Sequence, residues 1–350
     1  MINTALINTA PAPTAVEVED RWQDIVNQLS RRGFLAATAG TAALAGCRQT
    51  AEAPAGPGEA AMITAETPLG TFQVPVAPER VVVLEGRQDL EVALVLQLPR
   101  PVGLGSNAIG ADGTVSEFLG FDPSGIEIIP GGETDVEMVL SLRPDLIIGR
   151  SMNLEQVLDG LAPFAPLVPV EIDRLDWRGG LVDAGRWTGR SAQADRAIVD
   201  YETALADFRA KHSAVGTAVA AVIQAGTEGT FSSSTANGFY LPARTHRDLG
   251  GRYLPFLDEA RQGPGPYGPD GAYVKFSVEE LDRLAPADLI MVVANTPQIR
   301  AELERDQLWQ QLPAVRAGRV GYTDSRLNSG SVLAARECLR RWDTLYARHG

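Results

Sequence analysis

Two stretches of the chain repeat one hydrophobic pattern. In TDVEMVLSLRPDLIIG, Thr134 to Gly149, the apolar residues Val136, Val139, Leu140 and Leu142 recur at helical spacing behind a capping residue, Thr134 or Asp135. Pro144 ends that helix, because its ring blocks a backbone hydrogen bond and pushes Arg143 out of helical geometry. Leu146, Ile147 and Ile148 then form a short apolar run closed by Gly149, the pattern of a buried parallel strand. FSVEELDRLAPADLIMVV, Phe276 to Val293, repeats the unit, with Ser277 as cap, Glu280 completing a capping box and Pro286 as the stop. Two copies of one helix–strand unit predict two similar α/β lobes.

The remaining pattern fills in both lobes. TPLGTFQVP predicts a β-hairpin, ERVVVLE a first buried strand, Asp89 to Leu98 a helix, and PVGLGS a strand ending in a Gly–Ser loop. EIIPGG leads into the first copy, Arg150 to Met152 form the loop after its strand, and FAPLVPVEI is a further strand. From Leu181 to His212 apolar residues at helical spacing, among them Trp187, Ala194, Tyr201, Leu205 and Phe208, predict a long helix that Gly189 interrupts near its start. TAVAAVIQAG opens the second lobe as a buried strand. TEGTFSSSTANGFYLPART after it, and RQGPGPYGPDGAYVKF further on, read as loops from their Ser, Thr, Gly and Pro content. RVGYTD is the last strand, and a final helix runs from Ser331 to Arg348. In open α/β sheets ligands sit beyond the carboxyl ends of the strands. Glu85, Arg87, Ser106, Asn107, Arg150 and Ser151 therefore fall at the mouth of the first lobe. Phe231, Asn237, Phe239, Tyr240, Arg244, Asn295 and Arg326 fall at the mouth of the second.

These strings, in this order, resemble the periplasmic binding protein family that delivers ferric siderophores, cobalamin or haem to ABC importers. The resemblance covers roughly Arg80 to Trp342: ERVVVLEGRQDLEVALVLQLPRPVGLGS, both helix–strand copies, and LPAVRAGRVGYTD. It implies an α/β fold of two Rossmann-like lobes joined by a single long rigid α-helix, with the ligand cleft between the lobes. Residues 62–180 are then the first lobe, 181–212 the joining helix and 213–350 the second lobe. Such a spacer implies a small opening motion instead of wide hinge closure.

Composition matters most at the N-terminus. A chain of 350 residues, 45% apolar and 21% charged, accommodates two domains. Its net charge of −13 argues against a nucleic-acid surface and for solubility. SRRGFLAATAG, Ser30 to Gly40, resembles a twin-arginine export signal, and Leu44-Ala45-Gly46-Cys47 resembles a lipobox, which implies lipidation of Cys47. Residues 1–46 are read as the signal and 47–61 as a flexible tether rich in Ala, Pro, Gly and Glu. The expectation is a monomer exported by the twin-arginine route and held at the membrane, in the periplasm or at the cell surface, by a lipid on Cys47. Cys338, inside the final helix, reads as a packed small hydrophobe.

Sequence offers catalysis little. Gly-x-Ser-x-Gly, HExxH, a paired-cysteine motif and Walker A are all absent, and the glycines at Gly103 and Gly105 do not complete a dinucleotide fingerprint. His212, His246 and His349 lack a metal-ligand partner at i+4, so no protein-held metal or cofactor is expected.

Binding fares better. Ferric chelates are usually anionic, and arginine pairs bidentately with oxygen ligands while stacking on flat groups. Arg87, Arg150, Arg244 and Arg326 all fall in expected cleft loops of an acidic chain, with Asn107, Ser151 and Asn295 as polar neighbours. Phe231, Tyr240, Tyr267 and Tyr273 are candidate apolar walls. The resemblance has gaps: Gly131 stands where hydroxamate binders of the family carry an arginine, and Leu327 roughly where they carry an aromatic. It also implies that Glu137 and Glu279, each in the first turn of a repeated helix, pair with arginines of a membrane permease. The reading is therefore a solute-binding protein that delivers a ferric siderophore or similar chelate to an ABC importer permease. Two alternatives stay open: cobalamin or haem, the latter needing His246 or a tyrosine as axial ligand, and an exported enzyme using a cleft carboxylate such as Glu85.

Overall fold

The structure is a computed structural model, and it describes residues 61–349 except 111–112, 172–176, 228, 235–239 and 255–272. The export signal, Cys47, the tether before Ala61, and Asn237, Phe239 and Tyr267 lie outside the described residues, as does the side chain of Tyr273.

A hairpin of β1 (Met62–Thr67) and β2 (Gly70–Pro75) precedes the first lobe. That lobe contains β3 (Val81–Val83), α1 (Gln88–Val95), β4 (Gly103–Gly105), β5 (Glu127–Ile129), α2 (Val136–Ser141), β6 (Leu146–Arg150), α3 (Ser151–Gln156), α4 (Leu158–Leu161) and β7 (Leu167–Val170). Two helices follow, α5 (Trp177–Trp187) and α6 (Ser191–Lys211). The second lobe contains β8 (Val219–Ala225), β9 (Thr230–Ser234), α7 (Leu241–Asp248), β10 (Arg252–Tyr253), β11 (Tyr273–Ser277) and β12 (Leu289–Ala294). After these come α8 (Pro297–Arg305), α9 (Gln307–Gln311), α10 (Pro313–Arg316), β13 (Val320–Thr323) and α11 (Val332–Tyr346).

The first sheet runs β5-β4-β3-β6-β7, with every pairing parallel. Both repeated units fold as their patterns predict, with one difference. Asp135 is the cap of α2, its carboxylate accepting from the Met138 amide at 3.0 Å. Arg143, before the proline, takes a left-handed φ of 49°. In the second unit Ser277 and Glu280 form the capping box, but the turn they start, Val278–Leu284, is a 3-10 helix.

The second sheet adds antiparallel strands to a parallel centre. Its order is β11-β9-β8-β12-β13, with β10 beside the start of β8. β12 lies parallel to β8 and β13, while β9 is antiparallel to both β8 and β11. The β9 and β11 segments fall in stretches expected to be loops. Their serines and glycines hid a period-two pattern: Phe231 and Phe276 are buried partners across the pair, and the buried Ser233 hydroxyl donates to the Val222 carbonyl at 2.6 Å. The YLPART stretch is helix α7, in which Pro242 occupies the first turn, where it loses no hydrogen bond.

The linking segment, residues 181–212, divides at Gly189, whose φ of +70° ends α5 before α6 begins. One apolar cluster runs through the lobes and this segment. It includes Val83 and Ile148 of the first sheet, Leu181, Tyr201 and Leu205 of the linking helices, Trp342 of α11, and Val222 and Met291 of the second sheet. Each such fully buried large side chain contributes roughly 1.5–3 kcal/mol. A polar tie crosses the same boundary. Glu91 of α1 is buried, and its carboxylate accepts from the amides of Ser331 at 2.7 Å and Ala334 at 2.9 Å, capping α11 of the other lobe. Gly330 permits that approach, since a Cβ there would stand 2.9 Å from the Glu91 Oε2. Gln88, one turn earlier, donates to the Ser329 hydroxyl.

Candidate ligand-binding cleft

Asp89 shapes the loop after β3. Its carboxylate accepts the backbone amides of Glu85 at 2.7 Å and of Gly86, Arg87 and Leu90 at 2.9 Å. This winds the loop through Gly86, with φ +92°, and leaves the Arg87 side chain exposed. The neighbouring strand end comes close, and a Cβ on Gly105 would run into the Glu85 backbone. After β4 the chain makes a 3-10 turn, Ser106–Ala108, that carries Asn107. Gly131 faces that turn, since a Cβ there would lie 3.0 Å from the Ser106 hydroxyl and 3.6 Å from the Asn107 side-chain oxygen.

A cleft of about 720 Å³ opens between these loops and the second lobe. Arg87, Asn107 and Ile109 line it from one side, and Asn295, Arg300, Tyr322, Asp324, Arg326 and Arg341 from the other. Four of the sequence-predicted residues thus meet there: Arg87, Asn107, Asn295 and Arg326. Four arginines line the cleft and three carboxylates, Asp324, Glu304 and Glu337, pair with three of them, which leaves a net positive charge in the cleft of an acidic chain.

The arginines are held in place by their neighbours. Arg326 forms a salt bridge with Asp324 at 2.9 Å. Arg341 donates to the Tyr322 carbonyl at 2.6 Å and pairs with Glu337 at 2.9 Å. Arg300 bonds Glu304 at 3.0 Å and lies 4.0 Å from the centre of the Tyr322 ring, a cation–π contact. Burial, with the Glu304 charge adding to it, pushes the Tyr322 hydroxyl up to about 12, so the phenol stays neutral.

Five other expected site residues lie elsewhere. Arg150 pairs with Glu85 at 3.6 Å, and both side chains are largely buried beneath the β3 loop. Ser151 is the buried first residue of α3, not a loop residue, and its hydroxyl donates to Glu171. Phe231 stacks on Phe276 with centroids 5.4 Å apart inside the second lobe. Tyr240 is buried, and its hydroxyl bonds Ser232 at 2.9 Å and Gln224. Arg244 is buried on α7, where burial lowers its guanidinium to about 10. Phe231, Tyr240 and Arg244 lie in a stretch whose Ser, Gly and Thr content resembles a loop but which forms strand and helix, whereas Arg150 and Ser151 do follow the β6 run but belong to the strand end and the helix directly after it. Tyr273 has its backbone in β11.

The residues of the alternative readings are also enclosed. His246 is fully buried, with its Nε2 2.7 Å from the Tyr346 hydroxyl and its ring 4.4 Å from that of Trp342, and burial drives it down to about 3. It is a core residue and not a cleft ligand. Glu85 is pushed up to about 7 by burial, and then by the Asp89 charge, against the pull of Arg150 and Arg87. Cys338 is a buried thiol that burial pushes up. Among the described residues no group of three or more His, Cys, Asp or Glu is placed to hold a metal ion. No helix among them is long and apolar enough to cross a membrane.

The sequence reading missed Arg300, Tyr322 and Arg341. A signal existed for the first: Thr296-Pro297 is an N-cap followed by a first-turn proline, and Arg300 and Glu304 are spaced for an i,i+4 pair. Glu137 and Glu279 are exposed in the first turns of the two repeated units, and the Ser277 hydroxyl holds Glu279 below the usual carboxylate range.

Two α/β lobes around a cationic cleft define a solute-binding architecture. The chain belongs to the periplasmic binding protein family, which matches residues 81–327. It is 26% identical over 270 residues, 73% of this chain and 79% of the relative, to the putative ABC transporter substrate-binding lipoprotein YhfQ of Bacillus subtilis. The fold is similar to that of the triscatecholate siderophore binding protein FeuA of Bacillus subtilis, solved with ferri-bacillibactin. Identity to FeuA is 20% and the TM-score 0.61, over 79% of this chain and 95% of that one. It is likewise similar to Staphylococcus aureus SirA, solved with staphyloferrin B, at 20% identity and TM-score 0.62 over 82% and 98% of the two chains.

Proposed function

We propose that this protein is the exported solute-binding component of an ABC importer and that it captures an anionic ferric siderophore in the interlobe cleft. The single observation that carries the reading is the concentration of Arg87, Arg300, Arg326 and Arg341 in one cleft of an acidic chain. A ferric complex of catecholates or carboxylates presents negatively charged oxygens on a rigid, compact surface, which guanidinium groups match in charge and geometry. Tyr322 and Ile109 supply apolar contact beside them. Iron is cargo, held by the chelator's own oxygens. Family membership and the names of the relatives support the same class.

The remaining parts of the reading follow from the sequence. Cys47 carries the lipid, the twin-arginine signal exports the chain, and a monomer presents Glu137 and Glu279, one on each lobe, to permease arginines. The test is an equilibrium titration of the purified protein with ferric triscatecholate, ferric citrate, ferric trihydroxamate, cobalamin and haemin. The expected result is saturable binding of an anionic ferric chelate, weakened by salt as charge pairing requires. Binding of cobalamin or haemin alone would overturn the ferric reading.

A further inference from the structure

Beside the cleft lies a second chamber of about 430 Å³, bounded by residues Thr114 to Phe118 of the first lobe and by α11 and the turn before it in the second. Asp324, Arg326 and Arg341 line both spaces, so the chamber and the cleft adjoin across these three side chains.

The compartments differ in charge. In the main cleft Arg300, Arg326 and Arg341 pair with Glu304, Asp324 and Glu337, and Arg87 adds a positive charge beyond those pairs. In the side chamber Arg326, Arg340 and Arg341 are balanced by Glu117, Asp324 and Glu337. The balance is built in, because Glu337 takes Arg340 at 2.6 Å and Arg341 at 2.9 Å while Asp324 takes Arg326 at 2.9 Å. The rest of the wall mixes the hydroxyls of Thr114 and Ser116 with the apolar Val115, Phe118 and Leu327. A charge-balanced wall has no field to attract an anion, but its N–H and O–H groups suit amide carbonyls and amide N–H groups.

Resting on the anionic-chelate reading of the cleft, we propose that this side chamber is a specificity subsite for an uncharged, amide-bearing arm that extends from the ferric core. The cationic compartment holds the metal-binding core. The neutral compartment selects chelates built with a peptide-like extension over bare ones.

Two probes test this: a ferric tris(catecholamide) chelate without an arm, and the same chelate carrying a Gly–Ser–Gly amide. Wild-type protein is expected to bind the armed chelate about tenfold more tightly. Ser116→Trp and Thr114→Trp, which fill the side chamber from the first-lobe wall and replace no residue that lines the main cleft, are expected to erase that gain. The bare chelate's Kd should stay within about twofold of wild type in both variants, with their fold checked by circular dichroism. An arm that brings no gain in the wild type, or a gain that persists in both variants, overturns the subsite while leaving the main cleft's assignment standing. Failure of both chelates to bind the wild type overturns the ferric-chelate reading and the subsite with it.

Discussion

Residue type alone does not tell a binding side chain from a structural one here. Arg87 and Arg244 are both arginines in an acidic chain, yet one lies exposed at the cleft and the other is buried on a helix. Phe231 and Tyr322 are both aromatics on strands. The first is stacked inside the second lobe, and the second lines the cleft beneath Arg300. Phe231→Ala is therefore expected to cost roughly 3–5 kcal/mol of stability. It should leave chelate affinity unchanged at temperatures where the variant is folded. Paired thermal melts and titrations check this, and a selective loss of binding with an unchanged melt would place Phe231 in the site after all. What made Arg87, Asn107, Asn295 and Arg326 legible in the sequence was position after a recognisable strand. Arg150 passed the same filter and still fell outside the cleft, because the partner that draws it under the loop, Glu85, is set by the tertiary fold.

At the scale of elements, the repeated helix–strand unit was legible because cap, apolar spacing and stopping proline all agree. The β9–β11 pair was not, since its hydrogen-bond partners lie far along the chain and its composition resembles a loop. Helix α1 is a further case: its apolar spacing was plain, but the burial of Gln88 and Glu91 on it only makes sense once α11 and the turn before it are in place. Burial pushes Glu91 up to about 7, against the hydrogen bonds from Ser331 and Ala334. A carboxyl raised in the folded state binds more protons there than in the unfolded chain, so its penalty is absent below about 4.5, grows between there and about 7, and is complete above. Glu91→Gln, which keeps one uncharged acceptor oxygen and replaces the other with an NH2 group, is expected to lower the melting temperature overall and to flatten its fall between pH 5 and pH 8. Glu91→Ala leaves two buried amides unpaired and is expected to cost about 1–3 kcal/mol for each. Amide exchange at Ser331 and Ala334 should speed up in that variant, and unchanged protection there would contradict the tie between lobes.

At the scale of the whole molecule, a continuous apolar core and the Glu91 tie join the lobes, which fits a protein that opens little. The exposed acids Glu137 and Glu279 lie on the repeated units, away from the cleft lining. Glu137→Lys combined with Glu279→Lys is expected to leave the chelate Kd unchanged while abolishing most iron-chelate uptake by cells that depend on this protein. Equal loss of binding and uptake would point to a folding defect, and full uptake would remove these acids from docking. The two-lobe architecture was the most legible property of the sequence, because it rests on repeated local patterns. The arginine-lined cleft was half legible, because Arg300 and Arg341 reach it from helices whose distance from Arg87 along the chain conceals their proximity.

In the proposed function, arginines of both lobes grip one anionic ferric chelate. The decisive measurement is the Kd of the ferric chelate that the wild type binds, taken by calorimetric titration of the Arg87→Ala/Arg300→Ala double variant. One arginine is lost from each side of the cleft, and each charge-assisted contact contributes about 1.5–3 kcal/mol, so affinity should fall at least about a hundredfold with the melting temperature nearly unchanged. A wild-type Kd in the folded double variant would mean that the chelate binds elsewhere or is held without these charges.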